Sequence, residues 1–261
     1  YNAPGLPISW NKNQYKEGTN EYVAVRPELK KQIEELYRKH PEEARDSFGE
    51  DPFEVKNILK YWVFSEKPEF HVIPTDTINI HIDKDALLRS GIMLPKTIRH
   101  LKGEDLKDAI PDKLYIPLTD IRMLTKVDLL MLEMLANCNW ERPLYLAISV
   151  GSVSKLKFDN YFVQEGLAFR FTPFDYKKWG DVGENRLYAV DVERLYDNVM
   201  NRYKYGGLDT PGLYLDETTL RTCWYHRRLF AQLAKELIAQ GDNERAKKVL
   251  AYAEQVIPGY N

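Results

Sequence analysis

TKVDLLMLEMLANCNWERPLYLAIS, residues Thr125 to Ser149, is the stretch from which the fold can be read. Its first half predicts a buried helix. Thr125 is suited to cap it, and Asp128 stands three residues on, at the capping-box position near the positive end of the dipole. Val127, Leu129, Leu130, Met131, Leu132, Met134 and Leu135 cover most of its surface, and a helix apolar nearly all round is buried rather than laid on a surface. Asn137 is the expected C-cap, and Pro143 forbids continuation. Leu144 to Ile148 is then an unbroken apolar run between Pro143 and Gly151, which predicts a central strand covered on both faces. The corner between them, Asn139-Trp140-Glu141-Arg142, sets an indole and two charges at one end of the sheet.

Working outward, the same reading gives an α/β (or α+β) body: a central mixed sheet with flanking helices. Residues 1–20 read as an extended opening segment, in which Gly18 allows a turn. Pro27 marks a helix N1 position, and Leu29, Ile33, Leu36 and Tyr37 mark a face that ends before Pro41. A second helix starts after Asp51-Pro52. Thr77 to Asp83 alternates, with Ile78, Ile80 and Ile82 inward and Asn79, His81 and Asp83 outward. Lys113 to Leu118 reads as a short strand, and Asn160 to Phe171 as a strand in which Leu167, Phe169 and Phe171 alternate with Ala168 and Arg170. Asp175 to Asn185 is a polar loop, Arg186 to Val192 a strand, and Val192 to Tyr203 a helix broken by Tyr205-Gly206-Gly207. Residues 21–215 make up this body, and residues 216–261 a helical hairpin. Its Phe230, Leu233, Ala234, Leu237, Ala246, Leu250, Ala253 and Pro258 fit the spacing of a tetratricopeptide-type pair, which must dock to bury its face.

Composition excludes several classes. A 261-residue chain that is 44% hydrophobic and 29% charged, with a formal charge of -2, is globular material with no electrostatic reason to bind nucleic acid. Its formal charge likewise gives no reason to expect an anionic membrane as a partner. Cys138 and Cys223 cannot make a disulfide framework and lack metal spacing. The uncharged run Pro143 to Ser154 is short of the roughly 20 apolar residues that a membrane span needs. A start at Tyr1 rather than Met reads as a piece of a longer protein or a processed product.

Chemistry is sparse. No HExxH pair, G-x-S-x-G elbow or Walker loop is present, so neither a metal site nor a cofactor is expected. Asp175, Asp181 and Glu184 share a loop with Tyr176 and Trp179. Carboxylates beside aromatic rings suit sugar binding or glycoside cleavage, and equally a solvated surface loop. Trp140, Glu141 and Arg142 form either a binding corner held by a rigid scaffold or an Arg–Glu pair closing the turn over a tryptophan plug.

Five stretches carry a resemblance. They are LPISW (Leu6 to Trp10), YKEGTNEYV (Tyr15 to Val23), NWERPLYLAISVG (Asn139 to Gly151), NYFVQEGLAFRFTP (Asn160 to Pro173), and the NVMNRYKYGGLD and YLDE segments between Asn198 and Glu217. Together they resemble the soluble C-terminal region of a bacterial family of multi-spanning membrane proteins of unknown function. That family is similar to the protein O-mannosyltransferases, membrane-embedded glycosyltransferases of the GT-C type. The resemblance implies a polyprenyl-phosphate sugar donor, a protein acceptor, and a site on the periplasmic side of the inner membrane. It places the catalytic acids on an external loop of the N-terminal membrane half, so no catalytic residue carries over to this chain. The implied partners are that membrane half and an acceptor protein or glycan. The implied role is acceptor recognition or assembly, through the Trp140 corner and the terminal helices. A self-contained carbohydrate-active enzyme and a purely structural module are the alternatives.

Overall fold

The computed structural model describes residues 22–150, 156, 158–183, 188–210 and 212–257. The opening segment, Glu184 and Pro258 lie outside them. The chain is mixed α/β and divides into two compact units, one carrying the described residues through Leu144 together with Leu156 and Phe158, the other Tyr145–Val150 and everything from Asp159. Among the described residues the strands are shared among three small sheets.

The first unit opens with β1 (Tyr22–Val25), α1 (Leu29–Lys39) and α2 (Pro41–Phe48). The sequence reading stops a helix at Pro41 and misses α2. The proline ends α1 but also occupies the first position of α2, where its missing N–H is no loss. Helix α1 itself starts two residues later than Pro27 suggests. Next come α3 (Val55–Ile58), which runs into a π-helical turn at Leu59–Val63, β2 (Val72–Ile73) and β3 (Thr77–His81). They are followed by α4 (Lys84–Arg89), α5 (Gly103–Ala109), β4 (Lys113–Pro117), β5 (Met123–Thr125) and α6 (Lys126–Asn137). Strand β1 lies between β2 and β5, parallel to the first and antiparallel to the second. Strands β3 and β4 pair antiparallel, with Ile78 opposite Ile116 and Ile80 opposite Leu114, all four buried. The expected alternation fails at one position: Asn79 is also buried, where Phe53 and Glu54 come up against the edge of β3 that β4 leaves free and the Asn79 amide donates to the Phe53 carbonyl at 2.9 Å.

Helix α6 packs on α3 and β3. It begins with the predicted capping box, in which the Thr125 hydroxyl accepts from the Asp128 amide at 3.3 Å and the Asp128 carboxylate accepts from the Thr125 amide at 2.8 Å. The helix ends at Asn137, with Cys138 as its cap.

The second unit contains β6 (Tyr145–Ala147), β7 (Phe162–Gln164), β8 (Ala168–Phe171) and β9 (Ala189–Val190), in the order β6-β8-β7-β9. Two expectations are corrected here. The apolar run after Pro143 is an edge strand rather than a central one, with Tyr145 and Ala147 exposed and, among the described residues, only β8 beside it. Asn160 to Phe171 is not one strand but a 3-10 turn (Asp159–Tyr161) and a tight hairpin, because the Glu165-Gly166 turn folds β8 back on β7.

Helices α7 (Val192–Asp197, extended by a π-helical turn at Asn198–Arg202), α8 (Glu217–Ala239) and α9 (Asn243–Val256) complete the unit. Helices α8 and α9 form the expected hairpin, turning at Gly241 with φ 83°, and share a core with α7 through Leu195, Val199, Leu233, Leu237 and Val249. Leu250, expected in the seam, is exposed, and Val249 takes its place one residue earlier. Arg245 ties α9 to α7 by a two-pronged bond to Glu193 at 2.8 and 2.9 Å.

His226 of α8 faces the rings of Tyr203 and Tyr205, at 5.9 and 5.4 Å. Its Nδ1 is buried without a hydrogen-bond partner, and burial lowers its pKa below the usual 6.5. The unfolded chain therefore takes up this proton more readily than the folded one. The contribution to stability is intact above pH 6.5 and is lost as pH falls through the depressed folded value. Urea unfolding followed from about pH 7 to about pH 5 is expected to lose at most ~1.4 kcal/mol per pH unit from this residue. His226→Gln is expected to flatten that part of the slope, and an unchanged slope would assign it elsewhere.

Candidate functional site

The two groups of residues singled out in the sequence fall in different units. In the first unit α6 gives way to two successive left-handed residues, Asn139 (φ 50°) and Trp140 (φ 61°). For a residue as bulky as Trp this conformation costs on the order of 1–2 kcal/mol and persists only where its surroundings hold it. Here the ring is 5% exposed and its Nε1 donates to the His81 carbonyl at the end of β3, at 2.8 Å. Glu141 and Arg142 are exposed on the outer side of the turn.

In the second unit the loop that follows Phe171 wraps around two rings instead of lying in solvent. Phe174 and Tyr176 are fully buried, and Trp179 is half-buried, edge-on to Phe174 at 5.9 Å. Burial pushes the Tyr176 hydroxyl well above the usual phenol range. Asp175 accepts from the amides of Lys177 and Lys178 at 3.2 and 3.1 Å, which turns the chain. The Asp181 amide donates to the Tyr176 carbonyl at 2.9 Å and closes the loop; the Asp181 side chain is half-buried. The structure thus brings Tyr176, Trp179 and Asp181 together, while the Glu184 of the same proposal lies outside the described residues.

The most concentrated chemistry of the second unit escapes the sequence reading. Across the sheet Tyr145, Arg170 and Val163 stand opposite one another, so their side chains share a face, and Glu165 joins them two residues beyond Val163. The side chains of Glu165 and Arg170 are 6% and 3% exposed and approach to 3.6 Å. The Tyr145 hydroxyl donates to Glu165 Oε2 at 2.7 Å, and the Arg194 guanidinium of α7 reaches the same oxygen at 3.5 Å. The backbone is held in place too. Asn198 donates its amide to the Glu165 carbonyl at 2.6 Å, and the Leu167 amide donates to the Tyr203 hydroxyl at 2.9 Å. A Cβ on Gly166 would stand 2.1 Å from that hydroxyl, so only glycine admits it. Burial, and then the bond to Glu165, raises the Tyr145 pKa. Tyr145 and Arg194 remain part-exposed, so the network reaches the surface at its two outer members.

The signal that could have found this site is an acid and a base on either side of a glycine turn: Glu165 stands just before Gly166, and Arg170 follows between Phe169 and Phe171. The segments around Gln164 and Asn198, quoted separately for the resemblance, fold against each other through Asn198 and Tyr203.

The family described as TMEM260-associated domain 2 matches residues 1–193. The chain belongs to that family. Neither the comparison with curated proteins nor that with solved structures gives a match. The TMEM260-associated domain takes in the Trp140 corner, the loop around Tyr176, and Tyr145, Glu165 and Arg170. Arg194 and helices α8 and α9 lie beyond the matched residues. The family is associated with a membrane protein, while among the described residues no helix is long and apolar enough to cross a membrane. Among them, too, no cluster of three or more His, Cys, Asp or Glu is placed to hold a metal ion.

Removing one member of a buried ion pair strands the other. Glu165→Ala is expected to cost about 3–5 kcal/mol, and Tyr145→Phe about 1 kcal/mol, both measured as shifts in urea unfolding. A loss below roughly 1 kcal/mol for Glu165→Ala would show that water reaches the pair.

Proposed function

We propose that this chain is a non-catalytic accessory domain of a membrane-embedded glycosyltransferase related to the protein O-mannosyltransferases. It stands on the periplasmic side of the inner membrane and serves acceptor recognition or assembly. The observation that carries this reading is the family: a TMEM260-associated domain is an accessory part of a membrane protein. The resemblance of the quoted segments supplies the glycosyltransferase and the periplasmic side.

Two of the carboxylates are committed to the fold rather than to chemistry. Asp175 serves as a turn cap and Glu165 as the buried partner of two arginines. A glycosidase needs two carboxyl groups facing a substrate across a fixed gap, and these two are committed to the backbone and to cations. The hairpin of α8 and α9 supports an assembly role, since paired helices of tetratricopeptide type present one face to the body and keep another for a neighbour.

Titration of the 261-residue chain with candidate acceptor proteins is expected to give saturable binding with no turnover of a glycoside. Glycoside turnover that is lost in Asp181→Asn would overturn the non-catalytic reading. In the full-length protein, deletion of the domain is expected to change acceptor choice. If acceptor choice stayed the same and only protein abundance fell, the domain would be a structural support.

A further inference from the structure

The outward side of α8 has a composition that the chain as a whole does not. Leu220, Trp224, Arg228, Ala231, Lys235 and Ile238 recur at steps of three and four, which places them on one stripe of the helix. All are exposed: Trp224 by 52% and Ile238 by 55%. The inward side, with Leu229, Leu233 and Leu237, is buried in the core with α7 and α9, so the outward stripe is fixed in orientation. Just before the helix, Tyr214 is 89% exposed.

Charge on this stripe runs against the chain's balance. The chain has 39 acidic residues against 37 basic ones. Along the stripe Arg221, Arg228 and Lys235 face one acid, Glu217, at the N-terminal end. The Arg228 guanidinium lies over the Trp224 ring at 4.7 Å, so cation and indole are presented together.

We infer that this face of α8 docks on an anionic lipid bilayer, with Trp224 at headgroup depth and Arg221, Arg228 and Lys235 against lipid phosphates. Tryptophan and tyrosine settle at membrane–water interfaces because one end of each is apolar and the other wet. Alternation of apolar and cationic groups along a helix matches a headgroup layer, which offers both acyl surface and negative charge. A protein groove would instead favour an apolar centre ringed by polar groups. The helix would lie along the surface. It is too polar to cross, and its other side is already committed to the core. The inference rests on the proposed placement beside a membrane, and adds the surface that meets it.

The test is co-sedimentation of the 261-residue chain with vesicles of phosphatidylglycerol mixed with phosphatidylcholine, against phosphatidylcholine alone. Binding to the anionic vesicles only, weakened by added salt, is the expected result. Arg228→Gln and Lys235→Gln are each expected to reduce it about fivefold. Trp224→Ala and, independently, Ile238→Ser are expected to weaken it without a change in thermal midpoint, since both positions are exposed. Absence of binding to anionic vesicles, or equal binding by wild type and the glutamine variants, overturns the inference. So does loss of binding to a detergent-solubilised membrane partner in those variants with vesicle binding unaffected, which would make the stripe a protein interface. Absence of acceptor binding by the unaltered chain, with vesicle binding intact, would instead count against the proposed function alone.

Discussion

A carboxylate withdrawn from water needs charge or donors around it, and three elements converge on Glu165. Arg170 comes from the neighbouring strand, Tyr145 from the edge strand and Arg194 from the helix that follows the sheet, whose extension also holds the Glu165 backbone carbonyl through Asn198. None of these contacts is strong alone. Buried ion pairs often gain little over an apolar pair of the same volume, because desolvation offsets the attraction. What they supply is register. A slip of one residue in the β7–β8 hairpin would send Arg170 to the opposite face, among Phe162, Phe169 and Tyr188, and leave the carboxylate without it. The pairing of the strands, the seat of α7 and, through the shared core, the hairpin of α8 and α9 follow from that one constraint.

How much of this could be read from the sequence depends on whether the signal was local. The capping box at Thr125, the alternation at Ile78, Ile80 and Ile82, and the two terminal helices rest on residues a few positions apart, and the structure has all of them. The misreadings come from residues whose meaning depends on distant neighbours. The run from Leu144 looks central because it is apolar, but nothing within it says that only one strand will pair with it. Pro41 can stop a helix or start one, and here it does both. Leu250 and Val249 are both suited to a helix seam, and only the side of α9 that packs into the core with α8 decides between them.

The candidate residues divide the same way. Trp140 is conspicuous in the sequence because it sits at a corner just before two charges. In the fold it is a buried ring whose N–H closes the end of β3. The loop from Asp175 is conspicuous because it mixes acids and aromatics, and those aromatics turn out to be its own small core. Glu165 and Arg170 are inconspicuous in the sequence because a single acid and a single base in a strand are common. Their pairing becomes visible only when β7 and β8 are folded together.

The polar groups of the second unit's sheet are thus spent inward, and the residues left to meet another surface are those that the core has no use for. On α8 the two sets are linked by the helical period. Each residue that the core fixes on the inner side, from Leu229 to Leu237, determines which residues face outward a half-turn away. Trp224, Arg228 and Lys235 are therefore held in line by the packing behind them, and a surface that meets them need not supply the free energy of ordering the helix. Rigid presentation of this kind lets a short stripe act as an interface, because the conformational cost has already been met in folding.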